Sequence, residues 1–242
     1  MDDSPQPAPH DLPAGLQLES ALALLRHSGQ AEPQQTRGSA EWLQAVIDSL
    51  VDLSSRDPLT GLANRRNVEL ALAREVDRVA RSGESALLLM VDIDHFKRVN
   101  DTFGHATGDS VIQMVGRALA ETVRPMDLVA RIGGEEFAVV LPNCPASFGP
   151  HVADRVRQRV ARHAVPLPDG RKVTVTVSVG GAFAPQWVRS SPKLWLERAD
   201  RQLYRAKSEG RDRVCLEPSA SSHVSAEERG LLFTAIPGQD EP

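Results

Sequence analysis

The sequence predicts an α+β domain, a central mainly antiparallel sheet flanked by helices, preceded by a short helical N-terminal extension. Three observations carry that expectation. Apolar residues recur at helical spacing in separate segments, as in Val68, Leu72, Val76 and Val79. Two β-rich runs, Leu128 to Ile132 and Phe137 to Leu141, flank Gly133-Gly134-Glu135-Glu136, the pattern of a β-hairpin with a primed turn. Val173, Val175, Val177 and Val179 alternate with Thr174, Thr176 and Ser178, which is the period of a half-buried strand. The resulting order, α-β-α-β-β-α-β-α without internal repeat, suits helices packed on a mainly antiparallel sheet.

Residues 1–38 read as a flexible segment, rich in Pro, Gln, Ser and Gly, with one short amphipathic helix around Leu18, Leu22 and Leu25. Residues 39–56 form a helical linker. Its Leu43, Val46, Leu50 and Leu53 have a/d spacing, which suits either self-pairing in a dimer or packing on the following domain. Residues 57–217 make the main domain. A helix follows Asn64 and stops near Ser82-Gly83. The strand Ala86 to Ile93 leads into Asp94 and a polar loop, and the next helix starts near Gly108, burying Val111, Ile112, Val115 and Leu119. After the hairpin comes a helix with Val152, Val156 and Val160, then the Pro168-Asp169-Gly170 turn and the valine strand. A last helix runs from about Leu194 to Lys207 and ends at Gly210. Residues 218–242 read as a mostly disordered tail, in which 227–234 (EERGLLFT) has the pattern of a short helical docking segment.

Composition narrows the function classes. The net charge of −4 argues against a nucleic-acid partner, because such proteins usually carry a basic excess. The longest apolar run, Ala86 to Val91, is strand-sized and far short of the ~20 residues of a membrane span. The start, MDDSPQPAPH, lacks the basic and apolar regions of a signal peptide, and the two cysteines form no CxxC pair. A cytoplasmic protein is expected.

Three pieces carry chemistry. Asp92-Ile93-Asp94 ends an apolar strand in carboxylates, and the hairpin turn presents Glu135 and Glu136. Magnesium prefers oxygen ligands and is commonly held by carboxylates together with substrate phosphates. If the strands are neighbours, Asp92 and Glu135 or Glu136 converge on one sheet edge, placed to hold one or two metal ions against a triphosphate, the arrangement that phosphoryl and nucleotidyl transfer requires. Gly133 and Gly134, without Cβ atoms, admit a ligand close to the backbone. The third piece is Asn100 to Asp109. A carboxylate accepts from guanine N1–H and its amine, and an amide serves O6, so Asn100 with Asp109 suits guanine and disfavours adenine. Lys97, Lys207 and Arg211 supply cations for a triphosphate, and the last two lie four apart, as if on one helix face.

Taken together, five ordered motifs resemble the GGDEF family of diguanylate cyclases. They are Asp57 to Arg66 (DPLTGLANRR), Asp92 to Asp101 (DIDHFKRVND), Gly104 to Asp109 (GHATGD), Gly133 to Phe137 (GGEEF) and Ala199 to Arg211, the last differing from the family pattern at Gln202. The resemblance implies a palm-like nucleotide cyclase fold and condensation of two GTP into cyclic di-GMP by a homodimer. It assigns metal binding to Asp92, the Ile93 carbonyl, Glu135 and Glu136, with one or two Mg2+ (or Mn2+) per site. It gives Glu135 the central catalytic role, with Glu136 beside it. Substrate binding falls to Phe96, Lys97, Asn100, His105, Asp109, Gly133, Gly134, Lys207 and Arg211. Arg124-Pro125-Met126-Asp127, five residues before Gly133, matches the family's inhibitory RxxD site, and Arg155 resembles its secondary arginine. The alternatives are a non-catalytic cyclic di-GMP receptor and a cyclase accepting ATP. A further protein partner through residues 1–54 or the tail is left open.

Overall fold

The computed structural model describes residues 18–29, 31–167, 169–184 and 190–218. The docking segment expected at 227–234 lies outside them. The helical extension comes first, with α1 (Glu19–His27) and α2 (Ala40–Ser55). α2 begins where its sequence predicts: the Ser39 hydroxyl accepts from Trp42 N at 3.1 Å, satisfying one free helical amide. α3 (Arg65–Ser82) is capped likewise by Asn64 and closed by Gly83 in the left-handed conformation.

The strands and helices that follow are β1 (Leu87–Ile93), α4 (Phe96–Phe103), α5 (His105–Thr122), β2 (Leu128–Gly133), β3 (Glu136–Leu141), α6 (Gly149–Ala161), β4 (Ala164–Pro166), β5 (Lys172–Thr174), β6 (Val177–Phe183), α7 (Pro192–Ser208) and β7 (Val214–Leu216). Five strands form one sheet in the order β2-β3-β1-β6-β7, antiparallel except for the parallel β6–β7 pair, and β4–β5 form a separate hairpin. β1 is central and fully buried, which explains its uninterrupted apolar run.

Alternation along β1 divides the core. Leu87, Leu89, Val91 and Ile93 face α4, α5 and α6, while Leu88 and Met90 face α3 and α7. On that second face α7 lies directly on β6. A Cβ added at Gly180 would come within 1.9 Å of the Leu203 backbone nitrogen, so glycine there sets how closely helix and strand approach. The buried Trp195 indole donates to Ala182 O at 2.8 Å and fixes the helix lengthwise.

The structure departs from the sequence reading at five places. The polar loop after Asp94 is the helix α4, and α5 starts at His105 rather than near Gly108, with Gly104 (φ +80) as the corner between them. The valine strand is broken: β5 ends at Thr174 and β6 starts at Val177, because Asp94 N takes the Thr176 carbonyl instead of a sheet partner. The strands β4 and β7 have too few residues to show a pattern. The hairpin turn is not primed, since neither Gly133 nor Gly134 is left-handed, and a register shift between Arg131 and Gly133 accommodates it. Finally, within the chain the spaced residues of α2 pack on α1 rather than on the following domain. Trp42 and Val46, with Leu50 and Leu53 against them, pack on Leu22 and Leu25 of α1, leaving Leu24, Ile47 and Val51 exposed.

Candidate active site

The β1–β3 register sets Asp92 directly opposite Glu136, and Ile93 N donates to the Glu135 carbonyl at 3.3 Å. Asp92 and Glu136 both follow the alternation onto the α3/α7 face. Lys207, from the last turn of α7, reaches Asp92 Oδ2 at 2.6 Å. Burial pushes the Asp92 carboxyl above its usual range; Lys207 opposes that shift, and the charges of Glu135 and Glu136 reinforce it. Four groups expected at the site are thus brought together. Gly133 lies 3.4 Å, measured from a built Cβ, from Glu136 Oε2, and nothing lies within 4 Å of one at Gly134, so the turn is open to a ligand.

Among the described residues no three His, Cys, Asp or Glu side chains converge as a ready metal cage. The donor chemistry still fits magnesium. This ion is commonly bound by one or two carboxylates plus substrate phosphates and waters, rather than by an all-protein shell. Asp92 and Glu136 supply that carboxylate pair.

The second corner grows from α4 and α5. Phe96 is buried beneath the turn, and its ring and the Asn100 amide close over Gly108: a Cβ built there would lie 1.9 Å from Asn100 Oδ1 and 3.2 Å from Phe96 Cζ. Asp109 is the next residue, and His105 opens α5; both are exposed, as is Lys97. Asn100 and Asp109 therefore stand on the two arms of one helix–Gly104–helix corner. Arg211 does not continue the Lys207 helix face as its spacing implied. α7 ends at Ser208, and Arg211 sits beyond it with φ +63.

Two features escaped the sequence reading. Arg131 Nη1 pairs with Asp57 at 3.1 Å while its Nε donates to Gly134 O at 3.0 Å, tying the start of the domain to the hairpin tip. Burial works against ionised Asp57, but hydrogen bonds from Thr60 and the Arg131 charge outweigh it and lower its pKa. The signal available was an arginine two residues before the Gly-Gly turn. The other is Asp94, whose carboxylate accepts from three protein donors: Ser178 Oγ at 2.6 Å, Thr176 Oγ1 at 2.7 Å and Asp212 N at 3.0 Å.

The RxxD residues form a separate cluster. Asp127 Oδ2 accepts from Arg124 N at 2.8 Å, Arg124 lies 5.9 Å from the Phe148 ring centroid, and Arg155 donates to Thr122 O at 2.9 Å. Burial raises the Asp127 pKa, against the charges of Arg124 and Arg155. Arg155 is thus close to Asp127 within a single chain. A cavity of about 340 Å³ at this turn is lined by Asp52 and Arg56 from the end of α2 and by Arg124 and Asp127, among others.

Known proteins are similar to this chain in sequence and fold. The model of the diguanylate cyclase GGDEF domain matches residues 54–213. The probable diguanylate cyclase DgcC of Escherichia coli is 42% identical over 163 residues, covering 67% of this chain and 43% of that protein. The response regulator PleD of Caulobacter vibrioides is 37% identical over 181 residues, 74% of this chain and 40% of that one. The chain therefore spans about two fifths of the length of these relatives. Among solved structures, the coiled coil and GGDEF domain of Caulobacter crescentus DgcB, in complex with c-di-GMP, aligns with a TM-score of 0.69 and 31% identity over 83% of this chain and 99% of that one. The Pseudomonas aeruginosa diguanylate cyclase SiaD, in complex with its activator SiaC, gives 0.66 and 35% over 83% and 73%. With the family model covering most of the folded domain, and the sheet edge carrying both carboxylate clusters, the chain belongs to the GGDEF family of diguanylate cyclase domains.

Proposed function

We propose that this chain is an active diguanylate cyclase, which joins two GTP molecules into cyclic di-GMP with release of two pyrophosphates. The observation that carries the reading is the pairing of Asp92 with Glu136 across β1 and β3, under Lys207 and beside the open Gly134 turn. Asn100 and Asp109 read the guanine edge, with Phe96 and His105 at the same corner. Lys97, Lys207 and Arg211 hold the phosphates. Asp92, the Ile93 carbonyl, Glu135 and Glu136 would hold one or two Mg2+ ions, or Mn2+ in their place, which would supply positive charge against the phosphates of the substrate. Glu135 accepts the proton of the attacking 3′-hydroxyl. Substrate enters as Lys207 exchanges its Asp92 contact for the triphosphate.

Each domain holds one GTP, so closing two phosphodiester bonds requires two domains face to face. A homodimer is therefore part of the mechanism. The exposed Leu24, Ile47 and Val51 of the α1–α2 hairpin offer an apolar surface for it or for a separate protein partner, a reading favoured by SiaD, which is seen with an activator. Arg124, Asp127 and Arg155 form the product-binding brake. No helix among the described residues is long and apolar enough to cross a membrane, and the reaction uses cytoplasmic GTP.

The receptor alternative keeps the RxxD cluster but has no use for an intact GGEEF turn. Pyrophosphate release from GTP with magnesium, measured across protein concentrations, decides between them. Turnover whose specific rate rises with concentration is expected; no release at any concentration leaves only the receptor.

A further inference from the structure

We propose that Asp94 is a positioning residue for the triphosphate, which sets the Arg211 turn rather than binding metal; the proposal rests on the cyclase reading above. Asp94 is two residues from Asp92, and in sequence the two carboxylates look equivalent. In the fold they are not. Asp94 is 5% exposed, and its two oxygens accept three hydrogen bonds from Ser178, Thr176 and Asp212 N. A carboxylate so fully engaged by protein donors has little left to offer a cation.

What Asp94 holds is unusual backbone. Gly210, Arg211 and Asp212 have φ values of +119, +63 and +42, so two consecutive residues with side chains sit in the left-handed region that such residues disfavour. Such a turn persists only when its surroundings overdetermine it. Asp94 takes the Asp212 amide, Arg157 pairs with the Asp212 carboxylate at 2.7 Å, and Arg211 N donates to Ala206 O at 3.0 Å. Yet the guanidinium displayed by the turn makes no hydrogen bond or ion pair among the described residues. The protein therefore maintains a strained conformation around a cation that it does not itself use. Since the same turn leaves α7 just after Lys207, which reaches Asp92, the phosphate end of GTP is the ligand class that benefits.

The test compares two ligands on purified full-length protein with magnesium: an α,β-methylene analogue of GTP, which cannot cyclise, and GMP, which lacks the β- and γ-phosphates. Asp94→Ala removes the acceptor of Asp212 N and is expected to weaken the triphosphate about 10- to 100-fold, the range for losing charge-assisted hydrogen bonds, with GMP within about twofold of wild type. Asp94→Asn is expected to rescue the triphosphate, because its amide oxygen still accepts from Asp212 and Thr176 while its NH2 donates to Ser178. If the alanine variant does not fold, Asp94→Ser, too short to reach Asp212, carries the same expectation. Equal losses in the asparagine and alanine variants would mark Asp94 as a metal ligand and overturn the proposal, as would equal losses for both nucleotides or none for either. Failure of the wild type to prefer the analogue over GMP would instead overturn the cyclase reading itself.

Discussion

The proposed catalytic sheet edge and the RxxD turn use the same residue types but treat them in opposite ways. At the edge, the side chains of Glu135, Glu136, Asn100, His105, Asp109, Lys97 and Arg211 have no hydrogen-bond or ion-pair partner among the described residues, whereas the Asp92 carboxylate is paired with Lys207. At the RxxD turn, Asp127 closes the turn on the Arg124 amide, Arg124 lies over Phe148, and Arg155 is anchored to the Thr122 carbonyl. Uncommitted groups remain available to a substrate whose charge changes during reaction. Groups that already hold one another define a pre-shaped surface, suited to recognising a finished product. Rigidity at the edge comes from groups bonded to other parts of the protein: Arg131 between Asp57 and Gly134, and Asp94 holding the Asp212 amide of the Arg211 turn.

The contrast can be broken first at Glu135. Glu135→Ala removes an uncommitted carboxylate, so it should lower the rate of pyrophosphate release by roughly 10²- to 10³-fold or more with little change in melting temperature. Substantial remaining activity would exclude it as the central group. Gly108→Ala tests the guanine corner from beneath. Its Cβ would overlap Asn100 Oδ1, so GTP affinity should fall about tenfold to a hundredfold, corresponding to ~1–3 kcal/mol of lost or unmet hydrogen bonding. Affinity for GTP that survives the extra methyl would place the base elsewhere.

Arg124→Ala addresses the other region alone. It should abolish inhibition by cyclic di-GMP while leaving the initial rate near wild type, and an unchanged inhibition curve would remove the brake. The smallest effect is on stability. Asp92 has a folded pKa above its unfolded one, so ionising it costs folding free energy as pH rises through that window, and the cost is present at neutral pH. Asp92→Asn should therefore raise the melting temperature by a few degrees at pH 7, with the gain vanishing below about pH 4, while activity is lost. Asp57 has the opposite sign. Its lowered pKa contributes stability above about pH 4 that disappears on further acidification, so the strap from Arg131 loosens in acid while the Asp92 penalty is relieved.

Much of this was legible in one dimension, for reasons that differ by element. α2 and α3 announce their starts because Ser39 and Asn64 cap amides within their own turn. β1 is read from its apolar run because a central strand buries both faces. α4 was not legible: its eight residues make barely two turns, and only Phe96 and Val99 of them are buried. The break between β5 and β6 was hidden because alternation continues through Val175 and Thr176, and it takes Asp94, just past β1 and far away in sequence, to take the Thr176 carbonyl.

The site divides in the same way. Residue type and order were enough to nominate the carboxylates and the guanine-matching Asn100 and Asp109, because the chemistry of a ligand dictates which donors and acceptors must meet it, whereas the RxxD turn was nominated by the family resemblance. Which of two neighbouring aspartates is open and which is saturated depended on hydrogen bonds from residues more than eighty positions away, Thr176, Ser178 and Asp212. The fate of the α2 seam likewise hung on α1 folding back against it. The sequence determined the inventory of chemical groups, since that is local. Only the tertiary structure decided which groups are consumed by the protein and which are left for a ligand, because hydrogen-bonding capacity is spent between segments that sequence order does not pair.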